Sequence, residues 1–279
     1  MPLSAPLLAD PVDAALAARY GAADAPRAIL HNAVIDGLLA HRSVRSYRDD
    51  PLPEALIETL VAAAQSAPSS SNLQLCSVVA VQDPARKAEL AALAGHQAHI
   101  EQAPLLLAWT ADLARAHAIA GDADAPVEGF SYLESFLAAS VDAALAAQNV
   151  VVAAESLGLG TVFIGGLRNR PEEVAALLDL PPQSAALFGL LVGWPDEPAS
   201  AAVKPRLPQA AVLHHERYRL DQSEAWHAYD TTSRAFQQSQ GQEPVGWIAQ
   251  LLRRGHSAAS LNGRHRLGDA LRILGFGLR

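Results

Sequence analysis

The stretch Ala153-Ala154-Glu155-Ser156-Leu157-Gly158-Leu159-Gly160-Thr161-Val162-Phe163-Ile164-Gly165-Gly166-Leu167-Arg168-Asn169 decides how the rest of the chain reads. It closes the longest helical pattern in the sequence, about Tyr132 to Leu157, which is apolar on almost every side. Such a helix belongs in a core or at a subunit interface, because no face of it suits water. Gly158 and Gly160 stop it. Thr161 to Ile164 reads as a short buried strand. Gly165-Gly166 reads as a turn whose missing side chains let the backbone approach a flat ligand closely. Gly-x-Gly-x-x-Gly is absent here, so the turn is not a dinucleotide fingerprint.

Outward from this stretch, Leu75 to Val81, Leu105 to Thr110 and Ala186 to Val192 read as further buried strands. Helical patterns separate them, Pro84 to Leu93 and Pro171 to Leu178 among them, which predicts a helix-flanked sheet. Toward the N-terminus, a helix follows Pro26 and runs to about Ala40, with Ile29, Leu30, Val34, Leu38 and Leu39 on its apolar side. A second helix starts near Pro53 and carries Leu56, Ile57, Leu60 and Val61. Residues 112–129 are mixed, with Gly121 to Asp124 as an exposed loop. Residues 1–25 form an extension with one weak helix, Val12 to Tyr20. Beyond Asp221 the chain turns helical, breaks at Gly241 and Pro244, and resumes as an amphipathic helix from Trp247 to Arg253. The expected organisation is an extension (1–25), a core (26–208) and a helical excursion with a basic tail (209–279).

The 279 residues are half hydrophobic, enough for a substantial core. A formal charge of −8 argues against a broad nucleic-acid or anionic-membrane surface, so any anion site must be a local basic pocket. The one cysteine, Cys76, leaves no internal disulfide and no thiolate metal cage, which fits a reducing cytoplasm. The N-terminus lacks the basic lead-in of a signal peptide. The apolar run near Leu137 to Leu157 is broken by Asp142, Gln148, Asn149 and Glu155, so no membrane span is expected.

Three polar or basic loops stand out. His41-Arg42-Ser43-Val44-Arg45 packs two cations, a hydroxyl and an imidazole into five residues just past a helix. It could surround a phosphate, or its arginines could simply complement the helix dipole and face water. Pro68-Ser69-Ser70-Ser71-Asn72 is a loop first, and one that offers hydroxyls and main-chain N–H groups at close quarters. In Lys204-Pro205-Arg206 the proline fixes the backbone between two cations, so both can be aimed with little entropy lost. His96 and His99 have no partner cluster that would complete a metal site. A phosphate-bearing cofactor with a flat ring would use all three loops and the diglycine turn.

In this order and spacing, the motifs resemble the FMN-dependent nitroreductase family, in its larger oxygen-insensitive nitroreductase and flavin reductase P branch. The resemblance spans about Leu39 to Tyr218 and rests on the loops above. It also rests on Gly95-His96-Gln97, Ala147-Gln148-Asn149, Phe188-Gly189-Leu190, Gly193-Trp194-Pro195 and Lys204-Pro205-Arg206-Leu207-Pro208. It implies an α+β, nitroreductase-like fold: a central, mostly antiparallel sheet flanked by helices, a helical C-terminal excursion, and a domain-entwined homodimer with FMN at its interface.

By this resemblance His41, Arg42, Ser43, Lys204 and Arg206 surround the FMN phosphate and ribityl chain. Arg45 lies near the pyrimidine edge, where positive charge stabilises the anionic reduced flavin. Ser69 and Ser70 come from the partner subunit, Gln97 meets the polar edge of the ring, and Phe163, Ile164, Gly165 and Gly166 run along it. The implied reaction is ping-pong: NADPH or NADH reduces the flavin at N5 and leaves, and a nitroaromatic, quinone or free flavin takes the electrons. No protein acid, base or metal is named. A flavin reductase and a non-catalytic FMN carrier or sensor are the alternatives. A serine hydrolase is disfavoured because Gly-x-Ser-x-Gly is absent. The branch associates arginines of the excursion with the NADPH 2′-phosphate. Here that region is Gln237-Gln238-Ser239-Gln240-Gly241-Gln242-Glu243, so NADPH preference is expected to weaken, or Arg253 and Arg254 to substitute.

Overall fold

The computed structural model describes residues 11–21, 24–26, 29–197 and 202–279. The expectations for residues 1–10, and for the start of a helix directly after Pro26, fall wholly or partly outside them. One sheet organises residues 43–200. Its strands are β1 (Cys76–Val81), β2 (Leu105–Asp112), β3 (Gly160–Ile164) and β4 (Ser184–Gly193), in the order β1-β2-β4-β3. Every neighbouring pair is antiparallel, with Val79 opposite Ala108, and Gly189 opposite both Ala108 and Ile164. All eight residues of β2 are buried, which is why it reads as an unbroken apolar run. A bulge between Trp109 and Thr110 shifts the β2–β4 register.

Helices cover both faces. On one, α3 (Leu56–Gln65) and α7 (Leu133–Ser156) set Leu56, Leu60, Ala147, Val150 and Ala154 against Leu105, Leu107 and Leu190. On the other, α4 (Pro84–Leu93) and α8 (Pro171–Leu177) bring Leu90, Ala91 and Val174 against Leu106, Ala108, Val162 and Leu191. The Asp83 carboxylate caps α4 by accepting from Arg86 N–H, and Pro84 occupies its first turn.

The apolar character of α7 divides into two stripes. Ala139, Ala143, Ala146, Ala147, Val150, Val151 and Ala154 are buried on the sheet side. Leu133, Leu137, Val141 and Leu145, one per turn, stay 40–55% exposed within the single chain. The helix is long and apolar enough by length to cross a membrane, yet its alanine face is seated on the sheet.

The chain divides into two compact units, residues 43–200 with 257–279, and residues 1–42 with 201–256. The sheet unit also holds α5 (Ala98–Gln102), α6 (Ala114–Asp122) and the C-terminal α11 (Leu267–Ile273), whose Leu271 packs with Leu75, Ala111, Ala139 and Phe276. The other unit holds α1 (Pro11–Tyr20), α2 (Ala33–Ala40), α9 (Ser223–Ser239) and α10 (Trp247–Gly255).

Three local expectations are corrected. The helix expected from Pro26 begins at Ala33, because Asn32 accepts from Val34 N–H and Ile35 N–H and so caps it there; Ile29 and Leu30 lie outside it. None of its residues is buried, and Val34 and Leu38 of its apolar side stay exposed. The helix expected near Pro53 starts at Leu56. Residues 112–129, read as mixed, contain α6: Asp112 accepts from Ala114 N–H and Arg115 N–H and starts the helix where no hydrophobic period announced it.

Candidate functional site

Ser43-Val44-Arg45 lies along the outer edge of β3. Val44 N–H donates to Thr161 O at 2.9 Å, and Ser43 forms a parallel bridge with Thr161. The alternation of extended chain buries Val44 and turns Ser43 and Arg45 to the opposite side. Gly160 permits this seating, since a Cβ there would lie 2.6–2.9 Å from Val44 side-chain atoms. The Tyr47 hydroxyl fixes the segment by donating to Val44 O at 2.7 Å. Burial pushes that phenol well above its usual range, against the opposing pull of Arg45, so it stays a donor.

Beyond β3 the chain makes a tight helical turn, Gly165–Asn169. The two glycines have different jobs. A Cβ on Gly166 would lie 2.6 Å from Ala94 O and 2.8 Å from Gln97 Nε2, so this glycine lets protein pack, not ligand. The same Ala94 O accepts from Gln97 Nε2 at 2.8 Å, which orients the amide. A Cβ on Gly165 would meet guanidinium nitrogens instead, Arg168 Nη2 at 3.2 Å and Arg264 Nη1 at 3.6 Å. Next to Gln97, on α5, His99 has a buried Nε2 without a hydrogen-bond partner. Burial, and then the Arg45 charge, hold its imidazole below the ordinary range, so it is neutral at pH 7. Arg45, Gln97, His99, Phe163 and Gly165 therefore gather around one end of β3. Phe163 is 42% exposed and meets Phe188 edge-on at 5.3 Å; Ile164 is buried beneath.

Ser69 and Ser70 are ordered by a residue that in the sequence looks only like a break in an apolar run. Buried Asp142, on α7, accepts from Ser69 Oγ at 2.6 Å, Ser70 N at 2.9 Å and Ser70 Oγ at 2.8 Å. Ser69 Oγ in turn accepts from Gln74 N–H at 2.9 Å. The loop needs such an anchor, because Ser71, Asn72 and Gln74 all hold positive φ, near 50°. That region costs non-glycine residues roughly 1–2 kcal/mol each. With both hydroxyl hydrogens committed to a carboxylate, half-buried Ser69 and Ser70 can serve a further ligand only as acceptors. Beneath the loop lies a cavity of about 380 Å³, lined by Ser69, Cys76, Ser77, Trp109, Arg115 and Asp142 among others. Burial, and then the Asp142 carboxylate, push the Cys76 thiol up, which keeps it unreactive.

In the other unit, His41 caps the C-terminal end of α2, and Arg42 follows it. Lys204 and Arg206 are exposed on either side of buried Pro205, whose carbonyl accepts from the Tyr229 hydroxyl at 2.9 Å. Arg19 joins these two segments. It donates to Leu39 O and His41 O, both at 2.8 Å, and to Lys204 O at 3.0 Å, while its own carbonyl accepts from Arg206 N–H at 2.7 Å. The cations at 41–42 and 204–206 are thus brought together within this unit.

The glutamines in the region where the resemblance led arginines to be expected serve the fold. Gln237 Oε1 accepts from Gly246 N–H, and Gln240 Oε1 accepts from Ala202 N–H. Arg253 and Arg254 are exposed in the last turn of α10. The basic tail brings Arg264 to the site. Its Nε donates to Asn169 Oδ1 at 2.8 Å, and Gly263, at φ +88°, leaves out a Cβ that would lie 2.7 Å from Asn169 O, so the guanidinium reaches Gly165. A basic tail was legible; its destination was not.

The profile of the nitroreductase family matches residues 38–194, and that of the nitroreductase family C-terminal domain matches 204–279. Among curated relatives, the Bacillus subtilis FMN reductase [NAD(P)H] is 43% identical over 77% of this chain and 88% of its own length. The Salmonella typhimurium oxygen-insensitive NADPH nitroreductase is 42% identical over 66% of this chain and 74% of its own. Among solved structures, the NADPH:FMN oxidoreductase of Vibrio harveyi complexed with NAD+ superposes with a TM-score of 0.80 at 35% identity, covering 89% of this chain and all of that one. With the antiparallel helix-flanked sheet in hand, these matches establish that the chain belongs to the nitroreductase family.

Proposed function

We propose that the chain is an FMN-dependent oxidoreductase that passes two electrons from NAD(P)H to nitroaromatics, quinones or related acceptors. The observation that carries this reading is the seating of Ser43-Val44-Arg45 along β3, which sets a cation beside the Gly165 turn and Gln97 from segments far apart in sequence. The residues fit the cofactor on two counts. Gly165 lies beside the guanidinium groups of Arg168 and Arg264, whose charge suits an electron-rich ring edge. The cluster of His41, Arg42, Lys204 and Arg206 in an acidic protein suits a phosphate dianion.

When bound, FMN supplies the two-electron chemistry; the protein supplies place and charge. In this reading His41, Arg42, Ser43, Lys204 and Arg206 hold the phosphate and ribityl chain. Arg45 holds positive charge at the pyrimidine edge. Gln97, its amide nitrogen tied to Ala94 O, offers its carbonyl oxygen as an acceptor. Phe163 and Gly165 line the ring, with Ile164 buried beneath them and Gly166 packed against Ala94 and Gln97. The Asp142-bound serine loop offers Ser69 and Ser70 to the cofactor of a second copy.

That second copy is part of the proposal. Leu133, Leu137, Val141 and Leu145 form a continuous apolar stripe on α7 that one chain leaves uncovered. A homodimer packing this stripe against its mate explains a helix apolar on both sides. The donor is proposed to be NADH as well as NADPH, because Gln237 and Gln240 are engaged in the fold and bring no charge to a 2′-phosphate. Comparing kcat/KM for the two nucleotides tests this. A strong NADPH preference, abolished by Arg253→Ala or Arg254→Ala, would move the 2′-phosphate to α10.

Free flavin is the acceptor in a second reading, supported by the relatives named FMN reductase. Steady-state rates with free FMN against a nitroaromatic separate the two. A carrier without turnover would keep its yellow colour under anaerobic NADPH.

A further inference from the structure

We propose that Arg19, in the segment ahead of the family match, is a positioning residue for the anion clamp formed by 41–42 and 204–206. The inference rests on the reading of that clamp as the FMN phosphate site. Arg19 lies on α1, in the stretch preceding residue 38, where the family profile begins. It is nonetheless among the few buried charged side chains, at 7% exposure, and Leu16, one turn earlier, is buried at 2%. The helix is therefore docked, and its last turn points a planar fork at main chain.

The geometry gives the fork a specific task. Nη2 donates to Leu39 O and His41 O, and Nη1 donates to Lys204 O. Arg206 N–H closes the return bond onto Arg19 O. Two segments more than 160 residues apart in sequence are thus clamped through four hydrogen bonds on one residue. The carbonyls of 39, 41 and 204 are drawn inward to Arg19, away from any incoming anion that they would repel. The formal charge of the guanidinium also adds to the positive potential of the clamp. Lysine cannot reproduce this, because an ammonium on a flexible stem lacks the planar fork that meets carbonyls from both segments at once. Arg19 touches neither phosphate nor ring in this account; it acts through His41, Lys204 and Arg206.

The test compares FMN with riboflavin, which lacks the phosphate, on the full-length protein. Dissociation constants are read by flavin fluorescence for the wild type, Arg19→Gln, Arg19→Lys, Arg42→Ala and Lys204→Ala. The expected result is a ratio of riboflavin to FMN dissociation constants that falls about tenfold in Arg19→Gln, the scale of one charge-assisted hydrogen bond. Arg19→Lys falls in the same direction, and riboflavin affinity changes little in either. A fall in Arg42→Ala and Lys204→Ala alone, with the wild-type ratio kept in both Arg19 variants, overturns the positioning role and leaves the phosphate site standing. Equal weakening of both ligands in the Arg19 variants overturns it too, as a purely structural effect. An unchanged ratio in all four variants overturns the phosphate reading itself, and the proposal with it. If Arg19→Gln does not fold, Arg19→Lys, which keeps the charge, decides.

Discussion

Replacing Asp142 with alanine tests the link between α7 and the serine loop. The carboxylate receives hydrogens from three donors, Ser69 Oγ, Ser70 N and Ser70 Oγ, at 2.6–2.9 Å, and is itself 3% exposed. Hydrogen bonds to a charged acceptor contribute about 1.5–3 kcal/mol each, so the gross loss is on the order of 6 kcal/mol. Two effects offset it. The released donors lie on an exposed loop and regain water. The left-handed residues Ser71, Asn72 and Gln74 relax, returning roughly 1 kcal/mol each at the low end of their strain. The net expectation is a destabilisation of about 3 kcal/mol, which lowers Tm by about 6–12 °C at the scale of a domain of roughly 150–250 residues. Differential scanning calorimetry reads this with and without FMN. Asp142→Asn keeps one acceptor oxygen and should lose less than half as much. A Tm within about 2 °C of wild type for Asp142→Ala, under 1 kcal/mol on that scale, would refute the anchoring argument.

Three further expectations follow from the same geometry. Val141→Asp places a charge in the middle of the uncovered α7 stripe, and should sediment as a monomer, against the dimer proposed for the wild type; a variant that sediments as a dimer would locate the interface elsewhere. Gly166→Ala drives a methyl to 2.6 Å of Ala94 O, a main-chain atom that cannot swing aside, and should cost about 1–3 kcal/mol in urea unfolding while displacing Gln97; a neutral effect contradicts the packing role given to that glycine. Arg45→Gln removes a cation that depresses His99, so the imidazole should take up its proton at higher pH, as followed by NMR. Since the folded-state value of His99 lies below its unfolded one, its contribution to stability is full above the unfolded value and is lost as pH falls toward the folded one. The variant should therefore show a shallower loss of stability on mild acidification, and an identical titration would place Arg45 elsewhere.

The fold was legible wherever one local signal governed one element. Asp83-Pro84 marks the start of α4 because cap and proline agree, and β2 and β4 announce themselves as unbroken apolar runs that only a strand covered on both faces can bury. The start of α2 was lost because Pro26 and Asn32 both offer a beginning and only the Asn32 side-chain bonds select the later one. α6 and α11 were hidden because alanine-rich or basic stretches carry little period; their positions are set by Asp112 and by the packing of Leu271.

The same division holds at the site. Loops rich in cations, serine and glycine could be picked out by composition. Their supports could not: Asp142 looked like an interruption, Arg19 like part of an N-terminal extension, and Arg264 like part of a basic tail. Each acts on residues at least 20 positions away in sequence, and local sequence carries no mark of that.

The most direct test of the central claim is the visible spectrum of the purified protein, before and after anaerobic addition of NADPH or NADH. The account predicts a yellow protein that releases about one FMN per chain on denaturation and loses its flavin absorbance when either nucleotide is added. A colourless protein that takes up no FMN when it is supplied would contradict it.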